Sequence, residues 1–373
     1  MQLQMPLLIA VMAICLFYSL WGSTVRIRRQ CVIVMTVILA LFSGLRTWWM
    51  GDLIKYYTQY RACNGADWYN VITSGTDNFG LRYFFHYAGA AGISYDNCLL
   101  IIACFVAVTL GLLVYRYSPS PFWSYTIYIS MGFYMFTYSG LKQAVAMGFL
   151  ILAGMAMFER KFLKYLVFVI LGGLFHAPAL IFLAAYPFCR QKLNKRYVLV
   201  LIGLILVMFL FRTEIVNFMN ELYYEEADAF ADTNEVGGKF IMMVLIMILG
   251  VTLRPLHKWD RVYLQVFNMM VLAAALQSMS VFGNVFSRLA DYYYQFVVLF
   301  IPLILQTGRS QARAMPMYRN EIRYWNPNHY LLLGIFVAAF AVWFYGNQIE
   351  GGSPILKDYL FRWQIDPYSL YGH

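Results

Sequence analysis

Four short stretches place ionisable side chains where an apolar sequence has no ordinary use for them. Arg46 closes LFSGLR, Lys142 opens YSGLKQAVAMGF, Arg288 and Asp291 open NVFSRLADYYYQF, and His176 lies in GGLFHAPAL within the apolar run 165–188. Charges that cannot reach water are costly in hydrocarbon and tend to face a cavity or a partner. A guanidinium presents a fork to phosphate oxygens and an ammonium a point charge, so this set points to an anionic ligand. Imidazole adds a group whose unperturbed pKa of about 6.5 suits proton transfer. Each residue also has a plainer account. Arg46 and Lys142 can snorkel to lipid phosphate. Arg288 can pair with Asp291, three residues on along one helix face. His176 can bond a backbone carbonyl freed by Pro178.

The elements that must carry these residues are membrane helices. Of the 373 residues, 61% are hydrophobic and 12% charged, against roughly 25% charged in soluble domains. Apolar runs near the ~20 residues needed to cross a bilayer recur along the chain, so residues 1–373 read as a single integral membrane domain, all-α and polytopic. The first run, MPLLIAVMAICLFYSLWG, is expected to stay as a span, since it lacks a basic n-region and a small-residue cleavage site. The net charge of +10 sits in short loops, which is how orientation is set. Membrane lipid is therefore the expected surrounding, with no nucleic-acid partner. The six cysteines lack metal-ligand spacing, and neither a metal nor a cofactor is expected. Cys63 and Cys98 could be joined if they share an aqueous face. No dinucleotide fingerprint, Walker loop, HExxH or GxSxG occurs in the sequence.

About ten full spans are predicted, at 3–21, 31–46, 98–115, 121–138, 141–158, 197–212, 239–254, 262–282, 287–306 and 329–346. The run 163–189 differs, because a Gly pair and Pro178 interrupt it. If it enters and leaves on one side, 18 of the 28 Lys and Arg fall in cytoplasmic loops; if it crosses once, 12 do. The positive-inside bias therefore favours a re-entrant or broken helical hairpin, giving 11–12 membrane segments with both termini outside. Half such a hairpin, about 12 residues, rises ~18 Å. That would bring His176 towards the floor of an outward-facing cavity rimmed by Arg46, Lys142 and Arg288. The hairpin is the one broken element the sequence shows, and no counterpart is evident in the other half.

This topology puts two long segments outside. Segment 46–97 interleaves Arg46, Asp52, Lys55, Arg61, Asp67, Arg82 and His86 with Trp and Tyr. Part of this is an interfacial aromatic belt, but aromatic faces, carboxylates and amides also suit sugars. Segment 213–238 is acidic and contains no Lys or Arg, with Ile215, Phe218, Met219 and Leu222 at helical spacing. An amphipathic helix at the outer interface is expected there, either as a solvated loop with one apolar face or as a lid.

At this point the residues carry a resemblance. Gly44-Leu45-Arg46 is followed by Gly51-Asp52 and Tyr56. Lys142-Gln143-Ala144-Val145-Ala146 opens a span, Phe175-His176 precedes Ala177-Pro178-Ala179-Leu180, and Arg288 precedes Tyr292–Tyr294. In this order, over residues 44–294, they resemble the EpsG-type branch of Wzy-like polysaccharide polymerases, which act in O-antigen, capsule and exopolysaccharide assembly. Two departures stand out. Lys142 replaces an arginine, and NFGLRYFF lacks the acidic residue often found ahead of the third span.

The resemblance implies a GT-C-like membrane glycosyltransferase of the bacterial inner membrane. Its substrates would be undecaprenyl-pyrophosphate-linked oligosaccharides, as donor and acceptor, joined at the periplasmic face. A flippase and a chain-length regulator are the further partners it implies. Arg46, Lys142 and Arg288 would hold the pyrophosphate, whose charge grows as the glycosidic bond breaks. Asp52 would take the acceptor's proton. His176 could do so instead, or could donate to a phosphate oxygen. Gln143, Arg61, Asp67, Arg82, His86 and Tyr292 are further candidates for substrate contact. Two other readings use the same residues: a transporter or flippase of an anionic lipid-linked sugar, and an O-antigen-ligase-like transferase with another acceptor.

Overall fold

The computed structural model describes residues 4–21, 24–47, 52–73, 79–138, 140–211, 213–214, 217, 236–254 and 259–305. The Ile215, Phe218, Met219 and Leu222 stripe and the expected span 329–346 lie outside them. The described residues are helical, with no β-strand among them. Helices Tyr95–Tyr117, Leu141–Phe158 and Arg261–Val281 are long and apolar enough to cross a membrane. The bent pair Val285–Tyr294 and Val297–Leu305 makes a fourth if it forms one span. The described residues thus hold three or four full-length spans, where the sequence predicts about ten along the whole chain.

Helix α1 (Gln4–Trp21) leads to α2 (Val25–Gly44), whose first turn is capped by Thr24 accepting from the Ile27 amide at 3.3 Å. Segment 46–97, expected as a loop, contains three helices: α3 (Leu53–Cys63), α4 (Trp68–Thr73) and α5 (Phe79–Ala90). Their apolar faces explain why. Leu53, Tyr56, Tyr60, Leu81 and Phe85 form a core of their own with Tyr95, Leu99, Leu141 and Val145, against which Phe175 packs. Tyr60 donates to the Ile93 carbonyl at 2.8 Å and Tyr95 to that of Leu53 at 2.9 Å. This small helical cap therefore sits on the starts of α6 (Tyr95–Tyr117) and α8 (Leu141–Phe158). Cys63 and Cys98 are buried in it as free thiols, so the disulfide considered from sequence is not formed.

Small residues let α2 and α6 approach closely. A Cβ on Gly111 would stand 2.4 Å from Thr36 Oγ1. The Arg28 guanidinium donates to the carbonyls of Val114 (2.9 Å), Tyr115 (3.0 Å) and Ser118, capping the end of α6. The predicted span 121–138 is divided into α7 (Pro121–Ser130) and a 3₁₀ turn, Phe133–Thr137. Between them the chain turns at Gly132, φ 83°.

The run 163–189 folds back on itself. Helix α9 (Phe162–Phe175) stops at His176, whose backbone is extended, and the chain returns through a 3₁₀ segment, Ala177–Ala184, and α10 (Ala185–Cys189). Phe162 at the start of one limb lies 4.8 Å from the Tyr186 ring near the end of the other. Next come α11 (Lys195–Leu210), α12 (Val236–Leu253) and α13 (Arg261–Ser278).

A further break lies where one span, 287–306, was expected. Helices α14 (Asn284–Tyr294) and α15 (Val297–Leu305) meet at 47°. Gln295 at the break donates its side-chain amide to the Tyr292 carbonyl at 3.0 Å, satisfying a group freed by the interrupted ladder. This corrects the expectation of a lone broken element. This break also touches the hairpin, where Phe182 stacks on Phe296 at 5.8 Å.

Candidate functional site

His176 is held at the apex of the hairpin by its own backbone. Its N–H closes α9 on the Gly172 carbonyl at 2.9 Å, and its carbonyl accepts from Ala179 at 2.9 Å to start the 3₁₀ segment. The imidazole is buried, and its Nδ1 is hydrogen-bonded to the hydroxyl of Tyr292 on α14. The backbone partner expected for this residue is therefore replaced, at Nδ1, by a side chain 116 positions away. Tyr292 is itself fully buried. Its neighbour Tyr293 fixes the same register by donating to the Ile181 carbonyl at 2.5 Å.

Lys142 and Arg288 both stand close enough to His176 to act on it electrostatically. Lys142 opens α8 behind Gly140, and Arg288 is partly buried on α14. The next residue along α8, Gln143, is buried, and its side-chain nitrogen has no hydrogen-bond partner among the described residues. An amide left in that state costs about 1–3 kcal/mol, so a ligand that accepts from it would recover the loss. Hairpin apex, start of α8 and α14 thus bring together an imidazole, a phenol and two cations.

Arg46 lies beside Tyr138, which precedes Lys142 by four residues in the sequence. Its side chain is fully buried. The guanidinium donates to the Ser43 carbonyl at the end of its own helix and lies 5.6 Å over the Tyr138 ring. The remaining candidates lie on the cap. Asp52 begins α3 with an exposed carboxylate, 3.4 Å from Lys55. Arg61 and Asp67 are exposed. Arg82 is buried, its guanidinium 4.9 Å over Phe79. His86 donates from Nδ1 to the Cys63 carbonyl at 3.2 Å and packs 5.5 Å from Trp68.

The ion pair formed by Asp291 is with Lys239 on α12, at 2.6 Å. Arg288, the partner considered from sequence, acts on Asp291 electrostatically. Sequence reasoning passed over Lys239. The available signal was a single cation opening a predicted span, the same signal that singled out Lys142.

The family model described as the EpsG family matches residues 29–318, a stretch that takes in Arg46, Lys142, His176, Arg288 and Tyr292. The chain belongs to the EpsG family. No curated protein matches it, and no solved structure does. EpsG membership and the apolar helices together make it a membrane protein with a general role in polysaccharide polymerisation, of a glycosyltransferase-like kind.

Proposed function

We propose that this EpsG protein polymerises oligosaccharide repeat units carried on undecaprenyl pyrophosphate at the outer face of the bacterial cytoplasmic membrane. The observation that carries the reading is the His176–Tyr292 pair, which ties the hairpin apex to a late helix with Lys142 and Arg288 acting on it. In the reaction, a hydroxyl oxygen of the acceptor unit bonds to the anomeric carbon of the donor chain. The bond from that carbon to the diphosphate breaks, and its electron pair leaves on the diphosphate oxygen. Lys142, Arg288 and Arg46 stabilise that developing charge as fixed cations. Exposed Asp52 takes the acceptor's proton, while His176, oriented by Tyr292, and the Gln143 amide hold phosphate oxygens.

The architecture that goes with this reading is GT-C-like. It has about ten full spans plus the hairpin as a re-entrant element, and its site opens to the periplasm. A flippase would supply the lipid-linked units and a chain-length regulator would set the product.

The paired breaks favour a second reading. Two discontinuous helices in contact are what transporters use at their binding sites, and the hairpin and α14–α15 make such a pair. Reconstitution separates the two. Purified protein in proteoliposomes is given a synthetic lipid-linked repeat unit, and chain length is followed on a gel. A ladder of polymer supports the polymerase. Movement of the lipid between leaflets without polymer supports the transporter, and a product carrying the glycan on a different acceptor supports the ligase-like transferase. No polymer with authentic substrate sinks the polymerase reading.

A further inference from the structure

The reaction above leaves unused a short polar contact beside the site. Lys239 Nζ meets Asp291 Oδ1 at 2.6 Å and Ser287 Oγ at 3.1 Å, and lies 6.0 Å from the centre of the Tyr294 ring. The Asp291 side chain is 9% exposed and that of Lys239 23%. Asp291 also feels Arg288, one turn back on α14, and Arg288 in turn acts on His176. Asp291 thus links Lys239 to the group formed by Arg288, His176 and Lys142.

A buried ion pair is poor as a stabilising device, because desolvating both ions offsets most of their attraction. Two features of this one fit a ligand site better. First, the lysine has two oxygen partners, and its three donors leave one for a further acceptor. Second, Arg46, Lys142, Arg288 and Lys239 against Asp291 leave a surplus of three positive charges. A sugar–diphosphate–lipid diester carries about two negative charges at neutral pH, which such a surplus attracts.

We propose that Lys239 is a fourth diphosphate-binding cation, which Asp291 and Ser287 engage when the ligand does not. This rests on the lipid-diphosphate substrate proposed above. Asp291 then competes with the ligand for the same ammonium, and its charge opposes diphosphate binding.

The sign of that competition makes the test. Undecaprenyl diphosphate and inorganic pyrophosphate are each titrated into the purified full chain in nanodiscs. Lys239→Gln keeps a donor for Asp291 and loses only the charge, and it is expected to weaken binding roughly tenfold or more. Lys239→Arg should stay within about threefold of wild type. Asp291→Asn, which removes the competing charge, should bind at least as tightly as wild type. Elution profile and melting temperature show that each variant is folded, with Ser287→Ala, expected to change binding less than threefold, as a milder probe of the same contact.

Unchanged binding in Lys239→Gln, or an Asp291→Asn that weakens binding in step with it as a purely structural pair requires, overturns the proposal. Preference for the lipid over inorganic pyrophosphate supports a lipid-linked ligand, and equal affinity overturns that source. Wild type that polymerises while Lys239→Gln binds normally sinks this inference alone. Wild type that neither polymerises nor binds a diphosphate sinks the reading beneath it as well.

Discussion

The hydroxyl of Tyr165, in the first turn of α9, donates to the carbonyl of Phe182, seventeen residues on. A straight helix would separate the two by ~25 Å, so this contact alone requires the chain to reverse between them. His176 lies at the reversal, and the 3₁₀ return limb presents carbonyls that a regular helix would have used internally. Tyr165 takes one and Tyr293 takes another, at Ile181. The hairpin is thus held by phenols bonding to its own loosened backbone, and α14 is keyed to it by the same means.

If both limbs open to the same side, a cysteine at Gln191, in the turn after α10, faces the cytoplasm. Gln191→Cys in intact cells should resist a membrane-impermeant maleimide and label only after permeabilisation. Tyr69→Cys on α4, where the native side chain is 75% exposed, should label without it. Strong labelling of Gln191→Cys in intact cells would reject the re-entrant topology.

Removing the Tyr292 hydroxyl leaves His176 Nδ1 buried without that partner. Tyr292→Phe is expected to cost about 1–3 kcal/mol of stability and to lower turnover at least tenfold, because the imidazole loses its orientation. Thermal melting in detergent and polymer yield in proteoliposomes measure the two. Full activity in Tyr292→Phe would show that the imidazole's orientation is immaterial to the reaction.

Arg160 occupies the left-handed region, φ 61°, just past the end of α8. The Lys161 amide bonds back to the Ala156 carbonyl at 2.9 Å, as in a Schellman cap. A side chain there costs roughly 1 kcal/mol that glycine avoids. Arg160→Gly should raise the melting temperature, whereas Arg160→Ala should not. A fall in the glycine variant would mean that the arginine's charge outweighs its backbone cost.

Glu159, beside it, accepts from Lys161 at 2.6 Å and from Arg116 at 3.3 Å. The Lys161 hydrogen bond holds its carboxyl below the usual carboxylate range. A lowered folded pKa adds stability that is present above the unfolded value, about 4.3, and lost as pH falls through the folded one. Glu159→Gln should therefore be less stable than wild type at pH 7, by about 0.2–1 kcal/mol for a partly exposed pair. The difference should begin to shrink as the pH falls below about 4.3 and close once it is below the folded value. Melts at neutral and acid pH compare them, and a gap that persists in acid would assign the effect to packing.

Much of this was legible in the sequence because burial and charge leave marks there. The span 141–158 coincides with α8 because a continuous apolar run has one helical solution in a membrane. The interruption at His176 showed through Gly172, Gly173 and Pro178. The bend between α14 and α15 left no such mark: neither Gln295 nor Phe296 is a helix breaker, and the break is stabilised by tertiary contacts to Tyr292 and Phe182. The helices of segment 46–97 were hidden by their polar and aromatic residues, which read as an interfacial loop until their shared core is seen. Lys239 and Asp291 lie 52 positions apart, and no local spacing rule couples residues at that distance.

The cations themselves give the sharpest test of the chemistry. Lys142 and Arg288 reach the site from different helices, yet both act on the same imidazole. If each stabilises charge that grows on the leaving diphosphate, its loss should lower turnover far more than substrate affinity. Lys142→Ala and Arg288→Ala are each expected to reduce the rate ~10²–10³-fold with melting temperatures near that of wild type. Lys142→Arg restores the charge and adds a fork, so it should retain activity. Arg288→Lys loses the fork and should fall between wild type and alanine. The double alanine variant should lose less than the product of the two single effects, since groups that stabilise one charge act as a unit. Wild-type turnover in both single alanine variants would remove the cation cluster from the mechanism.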